Sequence, residues 1–222
     1  MSRITTALRL AVTSPRLFVR TIRFRHGPPR YRNLPRLVEA CKPKTIVEIG
    51  VWRGDGAEVM IQAARKHNDS VQYWGFDLFE DLTPEMLGRE ISLLPLPIRE
   101  VEQRLSGLGA EVTLVPGNTI QTVPETNLPP IDFAFIDGGH SYETVSADWR
   151  NLRPRLSPGA VVVFDDYTNR AAVKHEGFGI RALIDELKRE YQVKILRPVD
   201  KFPRPYGMLE IQFAVLRMPS PG

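Results

Sequence analysis

The sequence predicts an α/β fold in which a mostly parallel sheet is covered by helices on both faces. Two observations carry that expectation. Short, continuous apolar runs (residues 45–49, 131–136 and 160–164) alternate with segments of helical period, the pattern of strands buried on both sides. Several of these runs end in a glycine turn or an acid, which is how open α/β sheets build sites at the carboxyl ends of their strands. With 222 residues, 42% of them hydrophobic and 25% charged, the chain is long enough for one domain with a substantial core.

The elements follow in order. Residues 34–41 read as a short helix, 45–49 as the first strand, 57–66 as a helix and 71–76 as the second strand. Residues 81–97 carry three prolines and several leucines without a clear period, so they read as an irregular insertion. A helix over 98–108 leads to a third strand at 112–115. The fourth strand, 131–136, precedes a helix over 143–152. The fifth, 160–164, is followed by a helix over 180–190 and by strands at 193–196 and 209–216. There is no internal repeat.

Charge is unevenly distributed. The formal net charge of +4 includes nine arginines within residues 1–36 and no acid before Glu39. Removing those nine from the 30 basic residues leaves 21 against 26 acids, so the remainder carries about −5. The body is therefore acidic, and without a basic, aromatic-interleaved stripe it is not a nucleic-acid binder. Residues 1–33 are assigned to a basic N-terminal segment and 34–222 to the main domain. The basic segment mixes arginine with Leu, Val, Ile and Phe at roughly helical spacing. It fits a peripheral contact with an anionic membrane, docking to a partner or a second subunit in a homo-oligomer, a transit peptide, or a helix packed on its own domain. Cys41 is the single cysteine, which excludes an internal disulfide framework and points to a cytoplasmic, reducing setting. No stretch approaches the ~20 apolar residues needed to span a bilayer.

Three motifs carry the chemistry. The first is Val47-Glu48-Ile49-Gly50-Val51-Trp52-Arg53-Gly54-Asp55-Gly56, a strand running into a glycine turn. Its Gly50, Gly54 and Gly56 stand as GxxxGxG, not the GxGxxG that brings backbone against a pyrophosphate. That departure, with no Tyr-x-x-x-Lys pair, argues against an NAD or nucleotide-sugar oxidoreductase. The second is Ile136-Asp137-Gly138-Gly139-His140-Ser141-Tyr142-Glu143, with Asp148 beyond it. The third is Leu156-Ser157-Pro158-Gly159, followed by Asp165-Asp166-Tyr167.

Taken together, these motifs resemble the class I S-adenosylmethionine-dependent methyltransferases. Within them they are similar to the O-methyltransferases related to macrocin O-methyltransferase and the cephalosporin hydroxylase-like group. The resemblance covers about residues 34–187. It implies a Rossmann-like sheet of seven strands with the last one antiparallel, S-adenosylmethionine as cofactor, and a small hydroxylated acceptor such as a sugar of a glycoside.

Cofactor contacts are expected at Glu48, Gly50, Gly54, Asp77, Asn118 and Asp137. Glu48 suits the ammonium group of the methionine part; the alternative is a tight turn with Glu48 paired to an arginine. Asp77, ending the second strand, suits the ribose hydroxyls, with Glu80 as the other candidate. The resemblance puts adenine near Asn118, where a surface turn is the plainer reading. A hydroxyl is a weak nucleophile at neutral pH, and a divalent cation or a base can activate it. In related metal-dependent enzymes the matching acids bind the metal, here Asp137, Asp165 and Asp166 for Mg2+, and the matching histidine, His140, is the base. Helix capping by Asp137 and His140, and turn capping by Asp165, are the structural alternatives. Asp148 is expected to pair with a nearby cation such as Arg150 or Arg153. A non-catalytic adaptor of the same fold is the competing class; an inert protein has no need of these aligned polar groups.

Overall fold

A computed structural model describes residues 28–90, 93–169, 179–205 and 207–220. The basic stretch 1–27 and the segment 170–178, which includes Lys174-His175-Glu176, lie outside the described residues.

The described chain opens with a 3-10 turn, Pro29–Arg32, running into α1 (Asn33–Cys41). Then come β1 (Thr45–Ile49), α2 (Asp55–Arg65), β2 (Gln72–Asp77), a 3-10 turn at Phe79–Asp81, α3 (Pro84–Arg89), α4 (Ile98–Leu105) and β3 (Glu111–Pro116). They are followed by α5 (Thr119–Glu125), β4 (Ile131–Ile136), α6 (Tyr142–Leu152) and β5 (Leu156–Thr168). The chain continues through α7 (Gly179–Leu187), β6 (Val193–Ile195), β7 (Asp200–Arg204) and β8 (Gly207–Arg217).

Seven strands lie in the order β3-β2-β1-β4-β5-β8-β6, and β7 pairs on β8 as an added hairpin arm. β1 to β5 run parallel, and β8 is antiparallel to β5. The expected seven-stranded plan is present with one strand more. Side-chain alternation splits the core in two. Ile46, Phe133, Phe135, Val163 and Phe213 face α1 and α2, while Val47, Ile49, Ala134, Val162 and Phe164 face α6 and α7.

Three elements depart from the sequence reading. The insertion is not wholly irregular: Thr83 accepts a hydrogen bond from the Met86 amide and Pro84 occupies the first turn, so α3 forms. Asn118 caps α5 in the same way through the Ile120 amide (3.0 Å), a helix that the sequence reading had not assigned. β7 carries Pro203 and two cations, a composition tolerated where a strand lies at a sheet edge.

The strand order reverses between β1 and β4, the crevice where open α/β sheets bind ligands. The two strand ends approach very closely there. The Asp137 amide donates to the Ile49 carbonyl (2.8 Å), and a Cβ on Gly50 would lie 2.1 Å from the Asp137 carbonyl oxygen. With φ of 89° as well, only glycine fits position 50.

Candidate active site

One half of the crevice is built from β1 and β2. After Gly50 the backbone turns through Trp52, whose φ of 50° is strained for a bulky residue. The Trp52 amide donates to Asp77 Oδ2 (2.7 Å), and the Phe79 amide donates to Oδ1 (3.3 Å). Asp77 thus ties the glycine turn to the end of β2. Burial raises its pKa, and these amides oppose the shift. Glu80 is otherwise engaged, accepting from the Ile98 amide at the start of α4 (3.1 Å).

Glu48 is enclosed. It lies beneath α2, accepts from the Tyr73 hydroxyl, and a Cβ on Gly56 would stand 2.4 Å from its Oε1. Burial pushes it up to about 8, against the Tyr73 hydrogen bond. It is partnered by a phenol, and the arginine pairing considered from sequence is not formed.

The other half gathers at the ends of β4 and β5. Consecutive strand residues face opposite ways, yet Asp165 and Asp166 converge. The register shifts between Phe164 and Tyr167, and Asp166 has φ of 56°. This irregularity re-aims both carboxylates. Asp166 meets His140 Nε2, and His140 Nδ1 faces the Glu90 carbonyl at 2.5 Å. A carbonyl only accepts, so Nδ1 carries the hydrogen and Nε2 is the nitrogen that faces Asp166.

Glu90 also fixes the turn below. Its carboxylate accepts from the Ser141 amide (2.9 Å) and the Thr144 hydroxyl (3.1 Å), so the end of α3 is latched to the start of α6.

The remaining space beside the acids is filled by the turn before α1. Arg30 donates from Nε to Asp165 Oδ1 (2.5 Å) and from Nη2 to Asp165 Oδ2 (2.8 Å), a fork on one carboxylate. Nη2 also reaches Asp166 Oδ1 (3.2 Å), and Nη1 meets Asp200 at the start of β7. Burial opposes the Arg30 charge, but Asp165 and Asp166 hold its pKa well above the ordinary value. The Tyr31 hydroxyl lies between Asp137 and Asp165, its ring packed on Phe135 and Phe213. It has one proton to share between two carboxyls. Burial, with Asp165 and Asp166 nearby, pushes Asp137 well above the usual carboxylate range, which favours Asp137 as the one that keeps a proton.

A family model described as a methyltransferase domain matches residues 47–167, from the glycine turn through the acid pair. The chain belongs to the methyltransferase-domain family. It is similar to the 8-demethyl-8-(2,3-dimethoxy-alpha-L-rhamnosyl)-tetracenomycin-C 4'-O-methyltransferase of Streptomyces olivaceus, with 33% identity over 161 residues, covering 64% of this chain and 61% of that one. Less than two thirds of that relative is therefore represented. The fold is shared with the O-methyltransferase NovP (23% identity, TM-score 0.62, 87% of this chain and 81% of that one). It is also shared with the O-methyltransferase TomG of Streptomyces achromogenes, solved in complex with SAM (15% identity, TM-score 0.57, 86% and 80%).

In this methyltransferase domain the structure brings Gly50, Gly54, Asp77, Asn118 and Asp137 to one edge of the sheet, with Glu48 beneath it and His140, Asp165 and Asp166 alongside. The expected Mg2+ set is not what it assembles. Among the described residues no group of three or more His, Cys, Asp or Glu side chains is placed to hold a metal ion. The reason lies in Asp165, 1% exposed, whose two oxygens already accept from Arg30, Tyr31 and the Asp166 amide.

Asp148 departs as well. It is 0% exposed on α6 and, among the described residues, pairs with neither Arg150 nor Arg153; its polar neighbour is the Thr119 side chain, outside normal hydrogen-bond geometry. Burial pushes it to about 7. Sequence reasoning missed Arg30, Tyr31 and Glu90. Nothing local marks Arg30 among nine N-terminal arginines, and Glu90 sat in a segment read as irregular.

Proposed function

We propose that the chain is an S-adenosylmethionine-dependent O-methyltransferase acting on a hydroxyl of a small molecule or glycoside. The observation that carries this reading is the juxtaposition, at one sheet edge, of the glycine turn held by Asp77 with the His140–Asp166 pair. Family membership supports methyl transfer. The S. olivaceus relative, a 4'-O-methyltransferase of a rhamnosyl-tetracenomycin, supports an oxygen acceptor.

Bound S-adenosylmethionine supplies an electrophilic methyl group. Asp77 is the residue to receive the ribose hydroxyls, with Gly50, Gly54 and Asn118 shaping the turns around the cofactor and Asp137 beside it. Glu48 acts from below by supporting the turn.

His140 is the base. Its Nε2, paired with Asp166, is the nitrogen that would take up the hydroxyl proton. Glu90 fixes the tautomer, and Asp166 stabilises the imidazolium. The arrangement of Asp137, Asp165 and Asp166 does not fit Mg2+ while Arg30 and Tyr31 are in place, so no step is assigned to a metal.

Residues 1–27 are proposed as a contact for anionic membrane or for a second subunit. Salt-sensitive liposome flotation, compared with mass in solution, separates the two.

The decisive test is calorimetry with S-adenosylmethionine and with NAD, followed by a screen of hydroxylated acceptors. Binding of NAD without S-adenosylmethionine would overturn the proposal.

A further inference from the structure

We infer that Arg30 is the resident cation of the acidic site, a positioning residue standing where a divalent metal would otherwise be held. The inference rests on the proposed methyl transfer only for its activity readout; the metal-binding readout is independent of it.

Four acids converge from β4, β5 and β7. Asp165, Asp166 and Asp200 are buried and Asp137 is half-buried, and a cluster of that charge needs a counter-charge. The guanidinium supplies it with four of its five N–H donors: two to Asp165, one to Asp166 and one to Asp200. The Arg30 amide adds a bond to Asp200 Oδ1 (3.3 Å). Arg30 is 4% exposed, so this is an internal group and not a surface ion pair.

The accounting at Asp165 is complete. Oδ1 accepts from Arg30 Nε (2.5 Å) and the Asp166 amide (2.6 Å); Oδ2 accepts from Arg30 Nη2 (2.8 Å) and the Tyr31 hydroxyl (2.9 Å). All four of its lone-pair sites are used. Mg2+ demands near-octahedral oxygens at about 2.0–2.1 Å, which these carboxylates could offer only after Arg30 withdrew. A planar fork differs from a metal in another respect: it fixes the orientation of Asp165 and Asp166 without leaving coordination positions for substrate. The acceptor is then held by His140 and its surroundings, and Arg30 acts through Asp166 on the base.

The test uses the full chain. Mn2+ binding is measured by calorimetry and electron paramagnetic resonance in wild type and Arg30→Ala, and turnover is measured with EDTA and with added Mg2+. Wild type should bind no stoichiometric Mn2+ and keep its turnover in EDTA. Arg30→Ala should gain a Mn2+ site and lose turnover by roughly 10–100-fold, the scale on which orienting partners act, with Mg2+ restoring it. A purely structural arginine would not make an enzyme metal-dependent. One equivalent of Mn2+ bound by wild type and lost in Asp165→Asn overturns the inference, and that arm decides even if Arg30→Ala does not fold. A folded Arg30→Ala that takes up no Mn2+ overturns it too. If no acceptor is found for wild type, the Mn2+ comparison still stands alone.

Discussion

The two halves of the crevice are built on opposite principles. On the β1–β2 side the acid, Asp77, is held by backbone amides of residues close to it in the chain, Trp52 and Phe79. On the β4–β5 side Asp165 and Asp166 are held by side chains, above all by Arg30, which is 135 residues away from Asp165. Backbone-held groups tolerate substitution around them because the amides cannot be mutated away. A side-chain network fails at any member. The first half rests on backbone, and the second on side chains that must all be present.

The largest effect expected from separating the halves is on turnover. His140→Gln should lower kcat by roughly 10²–10⁴-fold, the range of general-base catalysis, and leave S-adenosylmethionine affinity unchanged in calorimetry. A parallel loss of affinity would mean that the halves are not independent.

Asp148 lies under the seam, its Oδ2 3.8 Å from where a Gly138 Cβ would be. Its folded pKa of about 7 exceeds the unfolded value near 4, so the folded state keeps a proton that the unfolded state gives up. The Asp148 contribution to stability should therefore fall as pH rises from about 4 to about 7 and level off above, by about 1.4 kcal/mol for each unit of pKa difference. In Asp148→Asn that slope should disappear in urea titrations across the range. An unchanged slope would assign the pH dependence to other groups.

Asp77→Ala should weaken S-adenosylmethionine by roughly 1–3 kcal/mol, the scale of a lost charge-assisted hydrogen bond, and affect turnover at saturation less. Normal affinity in this variant would remove the ribose assignment. The smallest effect is expected at Asn118, where Asn118→Ala should cost about 1 kcal/mol of stability through its cap on α5. A larger loss of cofactor affinity than of stability would show that the amide also meets adenine.

The same contrast explains what the sequence made legible. β1 and β4 were read to the residue, since a short run dominated by buried apolar residues between turns leaves little choice of element. The acids and His140 were legible because they end such runs. Arg30 and Tyr31 were not: they owe their place to a turn that packs against strands more than a hundred residues later, and no periodicity records that. The bulge that turns Asp165 and Asp166 together was equally hidden, because a left-handed aspartate has no sequence mark of its own. β7 escaped because proline and charge, which argue against a central strand, are ordinary at an edge.

The separation of Arg30 from Asp200, 170 positions along the chain, also sets an order of events during synthesis. At about 5–20 residues per second, roughly 8–35 seconds pass between the ribosome adding one and adding the other. Through that interval β1 to β5 can pair and the glycine turn can form, while the guanidinium waits for its last carboxylate. The platform for the cofactor can thus mature on the nascent chain, whereas the neighbouring cluster reaches its final charge balance only once the β7–β8 hairpin has been made.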